Sequence, residues 1–191
     1  MAKKKEPTIE RDISSKTKFW IDNGVDLSKR RIMLDDEVDE VNVGYIIRAL
    51  HKMVDIDPTL PIDIYISSFG GCCYSGLGLY DTIKSLKKTL VRTHAVGKVM
   101  SMGLILYLAG DERHSLPNTT FMAHSVAVDS VGGKNFEIKT ESQEMDRLNS
   151  LLIDILESTT VKGKRWWKKE IEHKDKYYDV KNARKLGIIT N

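Results

Sequence analysis

The sequence predicts an α/β layered domain with a largely parallel sheet, on three observations. Ile62, Ile64 and Ile66 alternate with Asp63 and Tyr65, the two-residue period of a strand. That strand runs through Ser67-Ser68-Phe69 into Gly70-Gly71, and apolar residues at helical spacing follow. A second strand over residues 90–96 meets Gly97, after which another apolar run begins. Strands separated by helices are joined by crossovers, and crossovers make neighbouring strands parallel.

The elements follow in order. Residues 1–23 are polar and of mixed charge, with isolated Phe19 and Trp20, and are expected to form a flexible arm. Residues 24–191 then form one domain. The basic cluster Lys29-Arg30-Arg31 reads as a solvated surface ahead of Ile32-Met33-Leu34. Val38, Val41, Tyr45, Ile46, Ala49, Leu50 and Met53 mark one helix face, which stops at Asp57-Pro58 because a residue before proline avoids the helical region. Beyond the first strand, a helix is expected over residues 74–88. The apolar segment 101–109 closes at Gly110, which stands where a helix C-cap would. Pro117-Asn118 marks a turn, Phe121-Met122-Ala123-His124 a short strand, and Val131-Gly132-Gly133 a loop. Ile138, Met145, Leu148, Leu152 and Ile155 fit a long helix over residues 135–159. The end carries Trp166-Trp167, a short helix near 180–186, Gly187 and Ile188-Ile189.

Composition narrows the class. A chain of 191 residues is one domain on a scale of roughly 100–200 residues each. With 41% hydrophobic and 30% charged residues it is neither collagen-like nor wholly disordered. A net charge of +3 is too small to indicate a nucleic-acid partner. Cys72 and Cys73 are adjacent and could pair only in a strained ring, so both read as reduced thiols in a reducing compartment. The apolar run 99–108 is broken by Ser101 and Gly103 and falls short of the ~20 residues of a membrane span. The charged and polar residues after Met1 give no signal peptide, so the protein is expected to be soluble and intracellular.

Ligands of open α/β sheets bind outside the carboxyl ends of the strands, which directs attention to Gly70-Gly71 and to residues 97–103. Ser101 stands at the start of an apolar helix. Its hydroxyl would lie near free backbone N–H groups, those of Met102 and of a nearby glycine turn. The bland alternative is a helix N-cap. Gly70-Gly71 could cradle an oxyanion or simply turn the chain; it lacks the Lys-Ser/Thr of a phosphate loop and the third glycine of a dinucleotide fingerprint. A serine nucleophile needs a base. His51 lies on a helix, His94 inside a strand, His114 in a polar loop and His173 in a charged run. His124 ends a short strand where an α/β site opens and is the best candidate. The acid that would fix its tautomer is open among Asp154, Asp175 and Asp179; Asp179 reads most simply as a helix N-cap. No metal pattern is present: Cys72-Cys73 lacks ligand spacing and no His-Glu-x-x-His occurs.

Taken together and in this order, these segments resemble the ClpP family, the proteolytic subunits of the Clp protease. The resemblance spans about residues 31–189. It is carried by Arg31-Ile32-Met33-Leu34, by 64–71 with its Gly-Gly pair, by Leu79-Tyr80-Asp81-Thr82-Ile83, by Gly97 and Ser101-Met102-Gly103, by Leu116-Pro117-Asn118 with Met122-Ala123-His124, and by 183–189. It implies a ClpP/crotonase-type layered fold with a long protruding handle helix. It implies Ser101 as nucleophile, His124 as general base, Asp175 as acid, and the amides of Gly71 and Met102 as the oxyanion hole. No metal or cofactor is implied. The expected activity is that of a self-compartmentalised serine endopeptidase cleaving unfolded polypeptide. The expected partners are further copies in a heptameric ring or pair of rings, and a Clp-type AAA+ ATPase; neither nucleic acid nor membrane is expected. The expected location is the cytoplasm of a bacterium, or of a bacterial host when phage-encoded.

The sequence departs from the family pattern at four places within the domain, and its N-terminal arm does not resemble the family's axial loops. Phe69 replaces the proline before Gly-Gly, Ser125-Val126 replaces Gln-Pro after the histidine, Lys174 replaces the arginine before the acid, and Asp63 replaces a pocket aromatic. These departures leave room for a catalytically silent, ring-forming paralogue acting as scaffold or regulator. A crotonase-type acyl-CoA enzyme and a peptidase working without an ATPase are further readings; the acyl-CoA chemistry does not need this triad.

Overall fold

A computed structural model describes residues 23–127 and 132–191. The expected arm, residues 1–23, lies outside the described residues except for Asn23, as does Val131 of the expected loop. Among the described residues there are seven strands and six helices. In chain order they are β1 (Val25–Asp26), β2 (Arg31–Leu34), α1 (Glu40–Ile56), β3 (Ile62–Ser68), α2 (Cys73–Ser85), β4 (Val91–Met100), α3 (Met102–Leu108), β5 (Glu112–Ser115), β6 (Thr120–Ala123), α4 (Asn135–Thr159), α5 (Lys164–Ile171), β7 (Lys176–Tyr178) and α6 (Val180–Lys185).

One sheet holds all seven strands in the order β1-β2-β3-β4-β6-β7, with β5 also on β4. The β2, β3, β4, β5 and β6 pairings are parallel, and β1 and β7 add antiparallel edges. The fold class is the mostly parallel α/β sheet that the sequence predicts. β4 serves two partners along one edge: Arg92 to Ala95 face β5, and Lys98 to Met100 face β6. Its register against β3 slips between Ala95 and Val99, around Gly97. The strand therefore does not end at Gly97 but bends there and continues to Met100, delivering the next residue, Ser101, to the carboxyl end of the sheet.

Burial follows the pleat. On β3, Ile62, Ile64, Ile66 and Ser68 are buried while Asp63, Tyr65 and Ser67 are half-exposed. The buried face packs under α1 through Val43, Ile46, Ala49, Leu50 and Met53, and under α2 through Leu79, Tyr80 and Ile83. All seven residues of α3 are buried, which explains an apolar run without helical periodicity. In α4, residues 135–143 are all exposed, and burial begins only at Leu148.

Three local expectations need correction. Arg30 is not on a solvated surface. It is buried and donates to the carbonyls of Met53, Leu60 and Pro61, adding a second donor to the Met53 carbonyl that the Asp57 amide already caps at the α1 end. Gly110 is not itself the cap of α3, which is Ala109, the residue before it, and the φ of Gly110 is not positive. A Cβ there would lie 2.4 Å from the Thr93 hydroxyl, so close packing on β4 is what demands glycine. His114 is not in a loop but in β5, where its ring stacks on His94 at 5.0 Å.

The half-exposed face of the sheet carries a polar cluster. Asp63 accepts from Arg92 and bonds His94, each at 2.7 Å. Burial alone would raise its carboxyl pKa, but the bonds to His94 and Arg92 outweigh that and hold it below the ordinary carboxylate range.

Trp167, on the inner side of α5, is fully buried, and its indole N–H donates to the Thr160 hydroxyl at 2.8 Å. Trp166 and Tyr178 meet it edge-on. Trp167→Ala is expected to cost about 3–5 kcal/mol in a urea melt, since it removes a large buried ring and leaves a cavity. A loss of about 1 kcal/mol or less would show that α5 is not anchored by this ring.

Candidate active site

Ser101 sits between the end of β4 and the start of α3. Its amide donates to the Met122 carbonyl at 2.9 Å, which ties it to β6. Its backbone is left-handed, with φ 53° and ψ −126°, a conformation that side-chain-bearing residues rarely adopt. Ser101 stands at the N-cap position of α3, but its hydroxyl makes no capping bond to the helix. The hydroxyl instead lies 2.7 Å from Nε2 of His124.

His124 is the first residue after β6. The antiparallel register Ala123↔Lys176 places the residues beyond each strand side by side, His124 beside Asp175. Nδ1 of His124 and Oδ1 of Asp175 are 3.7 Å apart, an ion-pair separation longer than a hydrogen bond. The Asp175 side chain is 56% exposed against 26% for His124, so the pair meets at the surface of the cleft. The other two carboxylates go elsewhere: Asp154 pairs with Lys164, and Asp179 caps α6 by accepting from the Asn182 amide.

The glycine turn lies against the serine. Gly70 has φ 110°, and a Cβ there would stand 2.6 Å from the Ser101 Cβ and 3.0 Å from the Met102 nitrogen. Gly71 has φ 146° and is bracketed by Val38, whose amide donates to Gly70 and whose carbonyl accepts from Cys72. The buried Ser68 hydroxyl accepts from the Gly70 amide and donates to the Asp36 carbonyl, fixing the turn from behind. The amides of Gly71 and Met102 make no hydrogen bond among the described residues. Met102 opens α3, where the first N–H groups of a helix lack internal partners. Gly71 lines one cavity with Ser101 and Met102 is the next residue in the chain, so both unengaged amides belong to the surroundings of a serine hydroxyl that is bonded to an imidazole.

Ser101 and His124 border a cavity of about 360 Å³. Its walls are apolar, formed by Leu104, Ile105, Met122, Leu152 and Leu156. Phe69 stands at its edge, 69% exposed, with the Lys98 ammonium over its ring at 4.7 Å. Cys73 also lines it, and burial pushes that thiol's pKa up. Among the described residues no group of three or more side chains could hold a metal ion, and no helix is long and apolar enough to cross a membrane.

Two bonds that the sequence does not reveal hold the segment after His124. The Ser125 hydroxyl donates to the Ile171 carbonyl at 2.8 Å, and the Val126 amide donates to Oδ1 of Asn149 at 2.6 Å. Asn149 reads in sequence as one more polar helix position, so no local signal exposes it.

A family model described as Clp protease matches residues 15–191. The match takes in every strand of the sheet, the glycine turn and the serine–histidine pair, and the chain belongs to the Clp protease family.

Proposed function

We propose that the protein is a self-compartmentalised serine endopeptidase that cuts unfolded polypeptide by acyl transfer within an oligomeric ring. The family is one of serine peptidases that form rings and work with Clp ATPases. The observation that carries the reading is the 2.7 Å approach of Ser101 Oγ to His124 Nε2 beside two unengaged amides. A serine hydroxyl is a weak nucleophile until a base accepts its proton. In the proposed reaction His124 takes that proton as Oγ attacks a peptide carbonyl. The Gly71 and Met102 amides hold the oxygen that becomes negative. His124 then gives the proton to the leaving amine, and water releases the acyl group by the same route. Asp175 stabilises the imidazolium and keeps the Nδ1–H tautomer, a role that a small closure from 3.7 Å makes direct. The apolar cavity beside Ser101 suits an apolar side chain on the acyl side of the cut bond. The expected setting is the cytoplasm, with a Clp-type ATPase as feeder. Asp63 falls where the family often has an aromatic lining its ATPase-docking pocket, and its carboxylate is already engaged by Arg92 and His94.

The 3.7 Å gap at Asp175 joins the sequence departures in favouring the alternative, a ring-forming paralogue that does not cut. Native mass measurement with a fluorogenic peptide separates the two. A large particle that cleaves the peptide but spares folded protein is the expected result. A large particle with no cleavage supports the scaffold, and a monomer inert under all conditions rejects both.

A further inference from the structure

Resting on the reading of Ser101 and His124 as nucleophile and base, we propose that Asn149 and Ser125 are positioning residues for the reaction, clamping the backbone behind His124. The need for such a clamp follows from topology. β6 ends at Ala123, so from His124 onward no sheet ladder holds the chain. His124 nevertheless keeps a 2.7 Å bond to Ser101. Its following residues are held by bonds to two different helices, one to a side chain of α4 and one to a backbone carbonyl of α5.

The first tether is the Val126 amide on Asn149 Oδ1 at 2.6 Å. An N–H can only donate, so the Asn149 carbonyl oxygen must face it. Asn149, Leu152 and Leu156 fall at spacings of three and four on α4 and share one face. Leu152 and Leu156 line the cavity together with Val126. Asn149 therefore fixes the wall residue Val126 against the two leucines of its own helix. The second tether is the Ser125 hydroxyl on the Ile171 carbonyl at 2.8 Å. Ile171 closes α5, where the last carbonyls lack internal partners. It lies four residues before Asp175, so Ser125 references the base to the segment that carries the carboxylate. One bond sets the pocket wall and the other the base–acid spacing.

The test compares Asn149→Leu, Asn149→Asp and Ser125→Ala with the parent, assembled particle against particle, on a fluorogenic peptide with an apolar residue before the cut. Leucine keeps the volume and favours helix but offers no acceptor; aspartate keeps the oxygen. A misplacement of about 1 Å at a reacting group costs up to roughly a hundredfold in rate. Asn149→Leu is expected to lower kcat by about tenfold or more and to raise KM, with an unchanged melting temperature. Asn149→Asp is expected to recover most of the rate, and Ser125→Ala to fall in kcat more than in KM. The double variant with Ser125→Ala should lose less than the product of the single losses, because both bonds hold one segment. A purely structural asparagine would move the melting temperature and leave the kcat-to-KM split alone.

Asn149→Leu within about twofold of an active parent overturns the positioning role while leaving the peptidase reading intact. The same holds if Asn149→Asp assembles and recovers nothing. Should Asn149→Leu fail to assemble, Ser125→Ala with parental kcat overturns the clamp. A parent that neither cleaves nor reacts with a fluorophosphonate overturns the peptidase reading, and this inference with it.

Discussion

Ser101→Ala is expected to abolish peptide cleavage and leave the particle folded and assembled. Alanine keeps the Cβ and loses only the hydroxyl that bonds His124. Dismantling a serine–histidine unit of this kind costs about a million-fold in kcat. The strain of the left-handed backbone is common to both residues, so the melting temperature should barely move. The check is turnover of the fluorogenic peptide, with fluorophosphonate labelling followed by mass spectrometry. The parent should carry the label on Ser101 and the variant should carry none. Full turnover by Ser101→Ala, or a label on another residue of the assembled parent, rejects Ser101 as nucleophile.

Gly70→Ala has the second-largest expected effect, and it reaches the site without touching a proton. The added methyl would fall 2.6 Å from the Ser101 Cβ and 3.0 Å from both the Met100 carbonyl and the Met102 nitrogen. No flexible side-chain end is there to yield. The φ of 110° adds strain of about 1–3 kcal/mol for any residue with a Cβ. The turn must back away, carrying the Gly71 amide from the serine. Losing one such donor costs roughly a hundred- to a thousandfold in kcat. Gly78→Ala is the matched control: Gly78 is an exposed position of α2, where an added Cβ meets nothing within 4 Å. There alanine should stabilise by about 0.4–1 kcal/mol and leave turnover unchanged. Parental turnover by Gly70→Ala would show that the turn is not part of the site.

The serine and the histidine are legible because each stands at a strand end in a sheet whose alternation is plain: Ile62, Ile64 and Ile66 announce β3 unaided. Asp175 is not legible from the residues alone. What brings it to His124 is β7, a three-residue strand, Lys176–Tyr178, too short to show a two-residue period. Only its antiparallel pairing with β6 distinguishes Asp175 from Asp154 and Asp179. β5 hides for a related reason, since Glu-Arg-His-Ser carries no apolar alternation and its pairing with β4 decides. α5 is masked by its lysines, while a single face with Trp167 and Ile171 buries it. Arg30 shows the limit of charge reading: an arginine beside two other cations has the composition of a surface and the bonds of a core. The clamp behind His124 joins residues 23 and 46 positions apart, and such pairings leave no trace in a local pattern.

The left-handed backbone at position 101 has an evolutionary consequence. Glycine alone occupies that conformation at ease, so heat resistance and turnover pull this codon in opposite directions. A library enriched only for survival at high temperature should drift toward glycine here, gaining robustness as it forfeits catalysis.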